Sequence, residues 1–371
     1  MIVAAPATRE RDLGLGEAAL AWITSRMLVF IGFAAADAIA SVLKVTDPAS
    51  TLHLHERLVT WDGHWYWLIG HLGYGAAGHD GLRFFPLYPM LARALAWPLG
   101  GRVGLTLVVI TNVSAYACLV LFRRLVLVEH GDDDLARRAM WLLALFPAAG
   151  AMVFAYGEPL MLAASLVAFL AIKRDRWWLV ALAGLVAGLT RPAAVLLVVP
   201  FLVEALRRSH RQTPIWWRAA GVVSPAVGAS LYLFWVGGEY GDWLAPVTIQ
   251  RRLRAGFQDP FTRLYDGFRL LGRSQLDAPN LAFAVLFIVL VVVAFRTERL
   301  SWSLYALATL VVALSAHNID SIGRYGLVAF PFVAVLARLG DDERFAWAAF
   351  ALSAGALVGL TTLATLGAYQ P

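Results

Sequence analysis

The sequence predicts an all-α, polytopic membrane protein, and three observations carry that reading. Of the 371 residues, 60% are hydrophobic and only 15% charged, with mean hydropathy +0.67, more apolar surface than one soluble core of this length would bury. The apolar residues fall into about eleven runs that read as membrane spans. Basic residues concentrate in alternate connections between those runs, as the positive-inside rule expects.

The runs cover residues 18–43, 104–122, 139–156, 159–172, 177–189, 192–203, 219–237, 281–295, 301–316, 325–339 and 345–366. A full crossing needs roughly 20 residues, so 159–172, 177–189 and 192–203 must extend through their flanks or sit within the bundle. With a cytoplasmic N-terminus, the inner segments hold Arg9 and Arg11, Arg123 and Arg124, Arg137 and Arg138, Lys173 to Arg176, Arg207 to Arg218, Arg296 and Arg299, and Arg338 and Arg344. The exception is the outer segment 238–280, with Arg251, Arg252, Arg254, Arg263, Arg269 and Arg273. Long loops follow the rule poorly, so this segment becomes a candidate site for an anion. The expected organisation is one transmembrane domain, 1–371, with a first outer loop at 44–102 and this second, basic one.

All but Lys44 and Lys173 of the 31 basic residues are Arg, a bias of GC-rich bacterial genomes, so the expected location is the bacterial plasma membrane. The net charge of +6 is assigned to topology, so membrane lipids and not nucleic acid are the expected partners. Residues 1–15 are polar and mixed in charge, unlike a cleavable signal peptide. The single Cys118 excludes an intramolecular disulfide. Arg26 and Asp37, both in the first run, are expected to pair with each other.

The same topology puts Asp62, Arg83, Phe84, Phe85, Glu158, Arg191, Asp242, Gln250, His317, Asp320 and Arg324 on the outer face, although they come from different loops. The first outer loop is the densest in chemistry. From Trp61 to Leu72 the positions Trp61, Trp65, Leu68, Ile69 and Leu72 follow helical spacing, with Asp62 at the start and Gly73 placed to stop the helix. It reads as an interfacial helix with its Trp residues at headgroup depth. Asp62 and Tyr66, four apart, are expected on a face distinct from that of Trp65 and Leu72. A second amphipathic piece runs from Leu87 to Trp97, with Leu87, Met90, Leu91 and Leu95 as its stripe. Capping the helix start is the plainer role for Asp62.

The stretch W-D-G-x-x-Y at Trp61 to Tyr66, then Gly73-Tyr74, then F-F-P-L-Y-P at Phe84 to Pro89, resembles the PIG-V family of GPI mannosyltransferase 2 and its bacterial relatives. "NVSAY" at Asn112, "LFPAAGAMVFAYGEPL" through Glu158, "GLTRPAAVLL" around Arg191, "YGDWLAPVTIQ" from Tyr240 and "GRYGLVAFPF" around Arg324 and Tyr325 follow in the family's order. The resemblance spans most of residues 55–335. It implies a GT-C fold and transfer of a sugar, typically mannose, from a polyprenyl-phosphate donor on the non-cytoplasmic face, with Asp62 as the catalytic carboxylate. The departures, Arg83 where Ala is common, Tyr-Gly-Glu for Tyr-Ser-Glu, and Pro-Ala-Ala after Arg191, bear on the acceptor, expected to be a lipid-linked glycan or glycolipid.

In that chemistry a carboxylate takes the proton of the attacking hydroxyl, and guanidinium groups stabilise the departing phosphate. The donor-phosphate candidates are Arg191 and Arg324, then Arg251, Arg252 and Arg254. The substrate-binding candidates are Trp61, Tyr66, Arg83, Phe84, Phe85, Tyr88, Glu158, Asp242, Gln250, His317, Asp320 and Tyr325. His53, His55, His64, His71 and His79 crowd the first outer loop, yet no spacing matches a ligand set such as H-E-x-x-H. No cofactor is therefore expected, with a divalent metal left open. A transporter would show an internal repeat and mid-span charges, and a channel would show polar stripes; neither is evident. Another polyprenyl-phosphate sugar, such as arabinose or glucose, would suit the same architecture.

Overall fold

A computed structural model describes residues 14–43, 54–207, 213–270 and 278–369. Arg9, Arg11, Lys44, His53, Arg208, Arg211 and Arg273 lie outside the described residues, as does the side chain of His55. Among the described residues the structure is helical, and the one β-type pairing is an isolated bridge between Phe257 and Ala316. Among the described residues, five helices are long and apolar enough to cross a membrane: α1 (Leu15–Leu43), α6 (Val103–His130), α11 (Ile215–Tyr240), α14 (Ala278–Thr297) and α18 (Glu343–Thr365). A sixth crossing arises if α16 (Ile322–Val328) and α17 (Pro331–Leu339), bent by 83° at the break between them, count as one.

The other predicted runs form shorter pieces, and proline explains where they break. The run at 139–156 yields α7 (Asp133–Leu145), which stops before Phe146-Pro147 because a residue preceding proline is driven out of helical geometry. Residues 146–157 then hold only a short 3₁₀ turn, Ala149–Met152, and are almost wholly buried. Helix α8 (Glu158–Lys173) restarts with Pro159 in its first turn. Helix α9 (Trp177–Thr190) ends at Arg191, extended ahead of Pro192, and a 3₁₀ turn, Pro192–Leu197, leads into α10 (Val198–Ala205). Helix α15 (Leu300–Leu314) completes the set of inner helices.

Buried backbone needs partners, and the unwound segment finds them on its neighbours. Arg26 Nη2 donates to the Met152 carbonyl at 2.7 Å, Asn112 Nδ2 to Val153 O at 3.2 Å, and Thr111 Oγ1 to Tyr156 O at 3.0 Å. Arg26 also donates to Asn112 Oδ1 at 3.0 Å. The expected pairing of Arg26 with Asp37 is therefore corrected: Asp37 bonds Arg57, 2.9 Å away, and Arg26 serves carbonyls that the broken helix leaves open.

Two close packings fix the frame. Gly184 and Gly188 of α9 face Pro225 and Gly228 of α11, and a Cβ on Gly188 would stand 2.1 Å from the Pro225 carbonyl oxygen, so the small residues let the backbones touch. At one end of the bundle Glu129 pairs with Lys173 and Arg299, Glu298 with His130 at 3.2 Å and Arg338 at 3.6 Å, and Arg138 with Asp341. Arg138, Lys173, Arg299 and Arg338 among them are residues assigned by charge to the inner face, and they gather at one end.

The opposite end carries the first outer loop, built as α2 (Leu54–Arg57), α3 (Asp62–Leu72), α4 (Tyr74–Gly81, broken at Gly78) and α5 (Leu87–Leu95). Gly73, at φ 91°, ends α3, a geometry that favours glycine. The platform has its own aromatic core: Tyr66 meets Tyr88 edge-on at 4.8 Å and Phe84 at 5.0 Å, while Phe85 packs on Tyr232 of α11 at 4.7 Å. On α5 the buried side is Tyr88, Ala92 and Ala96, and the predicted stripe of Leu87, Met90, Leu91 and Leu95 is half-buried to exposed. Of the stripe, Met90 and Leu91 pack against the platform's core, while Leu95 is exposed. The segment 238–280 is not a bare loop: it folds into α12 (Ala245–Leu253) and α13 (Pro260–Leu270).

Candidate active site

A cavity of about 440 Å³ lies where the starts of α3, α8 and α16 meet the end of α9, with α12 across it. Its centre is an ion-paired quartet. Arg324 Nη1 donates to Asp62 Oδ2 at 2.6 Å and to Glu158 Oε1 at 3.0 Å, and Arg191 Nη1 lies 2.6 Å from the same Glu158 oxygen. Ser321 Oγ accepts from Arg324 Nη2 at 2.7 Å, and the Arg324 guanidinium lies over the Tyr156 ring at 5.0 Å. Two proline breaks serve this arrangement. Pro159 starts the helix that presents Glu158, and Pro192 forces the extended backbone that turns Arg191 inward; the short helix carrying Arg324 ends at Val328, where Ala329 leaves helical geometry.

Asp62 does not cap its helix. It is the first residue of α3, the N-cap is Trp61, and no side-chain cap bond forms. Its carboxylate turns instead to Arg324, with 23% of the side chain exposed. Burial opposes its ionisation, but the guanidiniums of Arg324 and Arg191 outweigh burial and hold its carboxyl below the ordinary carboxylate range. Glu158 is more enclosed, at 2%, and its Oε2 has no hydrogen-bond partner.

The rim supplies polar and aromatic groups. Arg83 lies 4.7 Å over Phe84 and 5.5 Å over Trp65. Arg254 Nη2 donates to Tyr325 Oη at 3.1 Å, and Asn318 Nδ2 to Asp320 Oδ2 at 2.5 Å. Gln250 completes the lining from α12. The structure thus brings together Asp62, Arg191, Arg324, Arg254, Trp61, Tyr66, Arg83, Phe84, Glu158, Gln250, Asp320 and Tyr325.

Six expected site residues fall elsewhere. Arg251 is exposed and Arg252 pairs with Asp80 at 2.8 Å, because successive positions on α12 leave the face that Gln250 and Arg254 share. Phe85 is in the aromatic core against Tyr232. Tyr88 is buried beneath Tyr66, bonded to Leu107 O and Thr111. Asp242 caps the turn at Leu244 N, 2.9 Å away. His317 does not line the cavity; its backbone N–H donates to Gly256 O.

Sequence reasoning also missed residues. Trp65 lines the cavity beside Asp62 and Tyr66, against the expectation that it faced away; positions i, i+3 and i+4 share a helix face. Ser321 and Asn318 lie within four residues of Asp320, a proximity that could have flagged them. Among the described residues no group of three or more His, Cys, Asp or Glu is placed to hold a metal ion. No protein-family model matches the chain, and no curated protein matches it.

Proposed function

We propose that the protein is a GT-C-type membrane glycosyltransferase of the kind the PIG-V resemblance implies. It transfers mannose from a polyprenyl-phosphate-mannose donor to a hydroxyl of a lipid-linked or glycolipid acceptor on the non-cytoplasmic face. The setting is a bacterial plasma membrane, with about eleven crossings and a cytoplasmic N-terminus. The observation that carries this reading is the quartet itself. Two carboxylates and two guanidiniums from four separate motif stretches converge in one cavity at the end of the bundle opposite the basic cluster.

The chemistry follows from the pairing. The donor phosphate draws Arg324 and Arg191 toward its oxygens, since guanidinium binds phosphate bidentately. Asp62 then loses its strongest partner while it stays in a poorly solvated site, and its basicity rises. The acceptor hydroxyl attacks the anomeric carbon, its proton passes to Asp62, and the bond from that carbon to the phosphate oxygen breaks. The leaving polyprenyl phosphate takes the electron pair, held by the arginines, and the configuration inverts. Glu158 keeps Arg191 and Arg324 aligned.

The test is transfer of radiolabelled mannose from polyprenyl-phosphate mannose into lipid extract by purified protein and by Asp62→Asn. Label in a new product with wild type alone supports the reading. Absence of both transfer and donor binding in the wild type removes it.

A further inference from the structure

The opposite face of α3 borders a second cavity. It has a volume of about 1130 Å³, larger than the one holding the quartet, and the two cavities share Trp61 as a wall. We propose that this second cavity binds the polyhydroxylated headgroup of a membrane glycolipid, the acceptor of the transfer; the role as acceptor rests on the function proposed above.

Three features select that ligand. His64, Trp67 and His71 recur at i, i+3 and i+7 along α3, and Trp67 stacks on His71 at 5.5 Å and 11° and lies 5.8 Å from His64. Arg102, at the start of α6, faces this ladder, and Glu56 and Thr60 lie on the remaining side. The lining therefore mixes donors with acceptors. A sugar hydroxyl both donates and accepts, so it can use both kinds of group, whereas a bare phosphate uses donors only. Beyond the polar groups the wall is Val59, Leu105 and Val108, with Leu105 42% exposed on a helix long enough to cross the membrane. That surface suits a hydrocarbon chain entering from the bilayer.

Trp61 connects this cavity to the chemistry. Its backbone lies at φ 57°, ψ −126°, a region that non-glycine residues enter only under strain. The strained residue stands between the two cavities, and the next residue is Asp62.

The experiment uses the full chain in nanodiscs and an alkyl α-mannoside bearing a radiolabel and a diazirine in its alkyl chain. After irradiation, label is expected on peptides covering 54–72 and 101–108. Octyl mannoside should compete; octanol and inorganic phosphate should not. Gly104→Leu fills the cavity, since a Cβ there meets Trp67 at 3.4 Å and Val59 at 3.6 Å. It should cut labelling at least about tenfold with the melting temperature retained, as Gly is the poorer helix former. Arg102→Gln should cut it less. Label on the peptides around Arg191 and Arg324, undiminished labelling of Gly104→Leu, or competition by octanol would overturn the site. Labelling as expected with no transfer from any sugar donor leaves the site standing and overturns the transferase reading. Transfer by Gly104→Leu with an unchanged KM for acceptor does the reverse.

Discussion

Asp62 is one of two carboxylates answering to two guanidiniums, so its removal leaves a buried positive charge. Asp62→Asn is expected to lower transfer by about 10²–10⁴-fold and to cost about 3–5 kcal/mol of stability at neutral pH. The folded pKa of Asp62 is depressed below the unfolded value of about 3.9. Its stabilisation is therefore present above that value and lost as pH falls through the folded pKa. Melting curves of wild type and variant should differ at pH 7 and converge only below about pH 4; a constant difference would mean the carboxylate charge is not what Arg324 needs. Arg324→Lys tests the fork, since a compact ammonium lacks the planar spread by which Nη1 serves Asp62 and Glu158 while Nη2 serves Ser321; the donor KM should rise at least about tenfold. The quartet's members were legible because ionisable residues stand out against an apolar chain. Their mutual pairing was not, because contacts such as Asp62 with Arg324 cross most of the chain and local spacing does not encode them. The misplacing of Arg251 and Arg252 has the same root: one turn of α12 separates cavity from surface.

Helix ends decided the site more than helix faces did. The apolar run at 139–156 reads as one span because hydrophobicity without periodicity does not separate a helix from a buried coil; Pro147 was the available signal. By contrast, α3 and its stop at Gly73 were legible from spacing and glycine alone. The contact of α9 with α11 gives an element-scale prediction. Gly188→Leu places a side chain where the Pro225 carbonyl already stands, so the protein should lose its cooperative melt in detergent or melt far lower. Gly355→Leu, where α18 leaves open space, should melt like wild type. A strain argument separates the tryptophan that caps α3, Trp61, from one inside it, Trp65. Trp61→Gly relieves an unfavourable backbone, whereas Trp65→Gly weakens a helix interior, so the first should be the less destabilising by about 2 kcal/mol, measured by denaturant or thermal unfolding.

At the scale of the molecule, the polar chemistry divides between two ends, and topology can be read chemically. Cys118 is buried, so on a Cys118→Ala background a membrane-impermeant maleimide should label Ala76→Cys from outside intact cells and Asp341→Cys only after lysis. The reverse pattern would invert the orientation inferred from charge. The all-helical class and the placement of chemistry at one end were legible from composition and loop charge. The number of crossings was not, because several apolar runs are too short to settle whether they traverse. That shortness has a consequence for the lipid. Helix α9 has 14 residues and α15 has 15, about 21 to 23 Å at 1.5 Å per residue, against a hydrocarbon layer of about 30 Å. If these two elements are crossings, a bilayer meeting them pinches inward, and thinning next to the protein relieves the mismatch. Headgroups would then dip toward the depth of Asp62, so a lipid substrate need not be drawn far out of its leaflet to react.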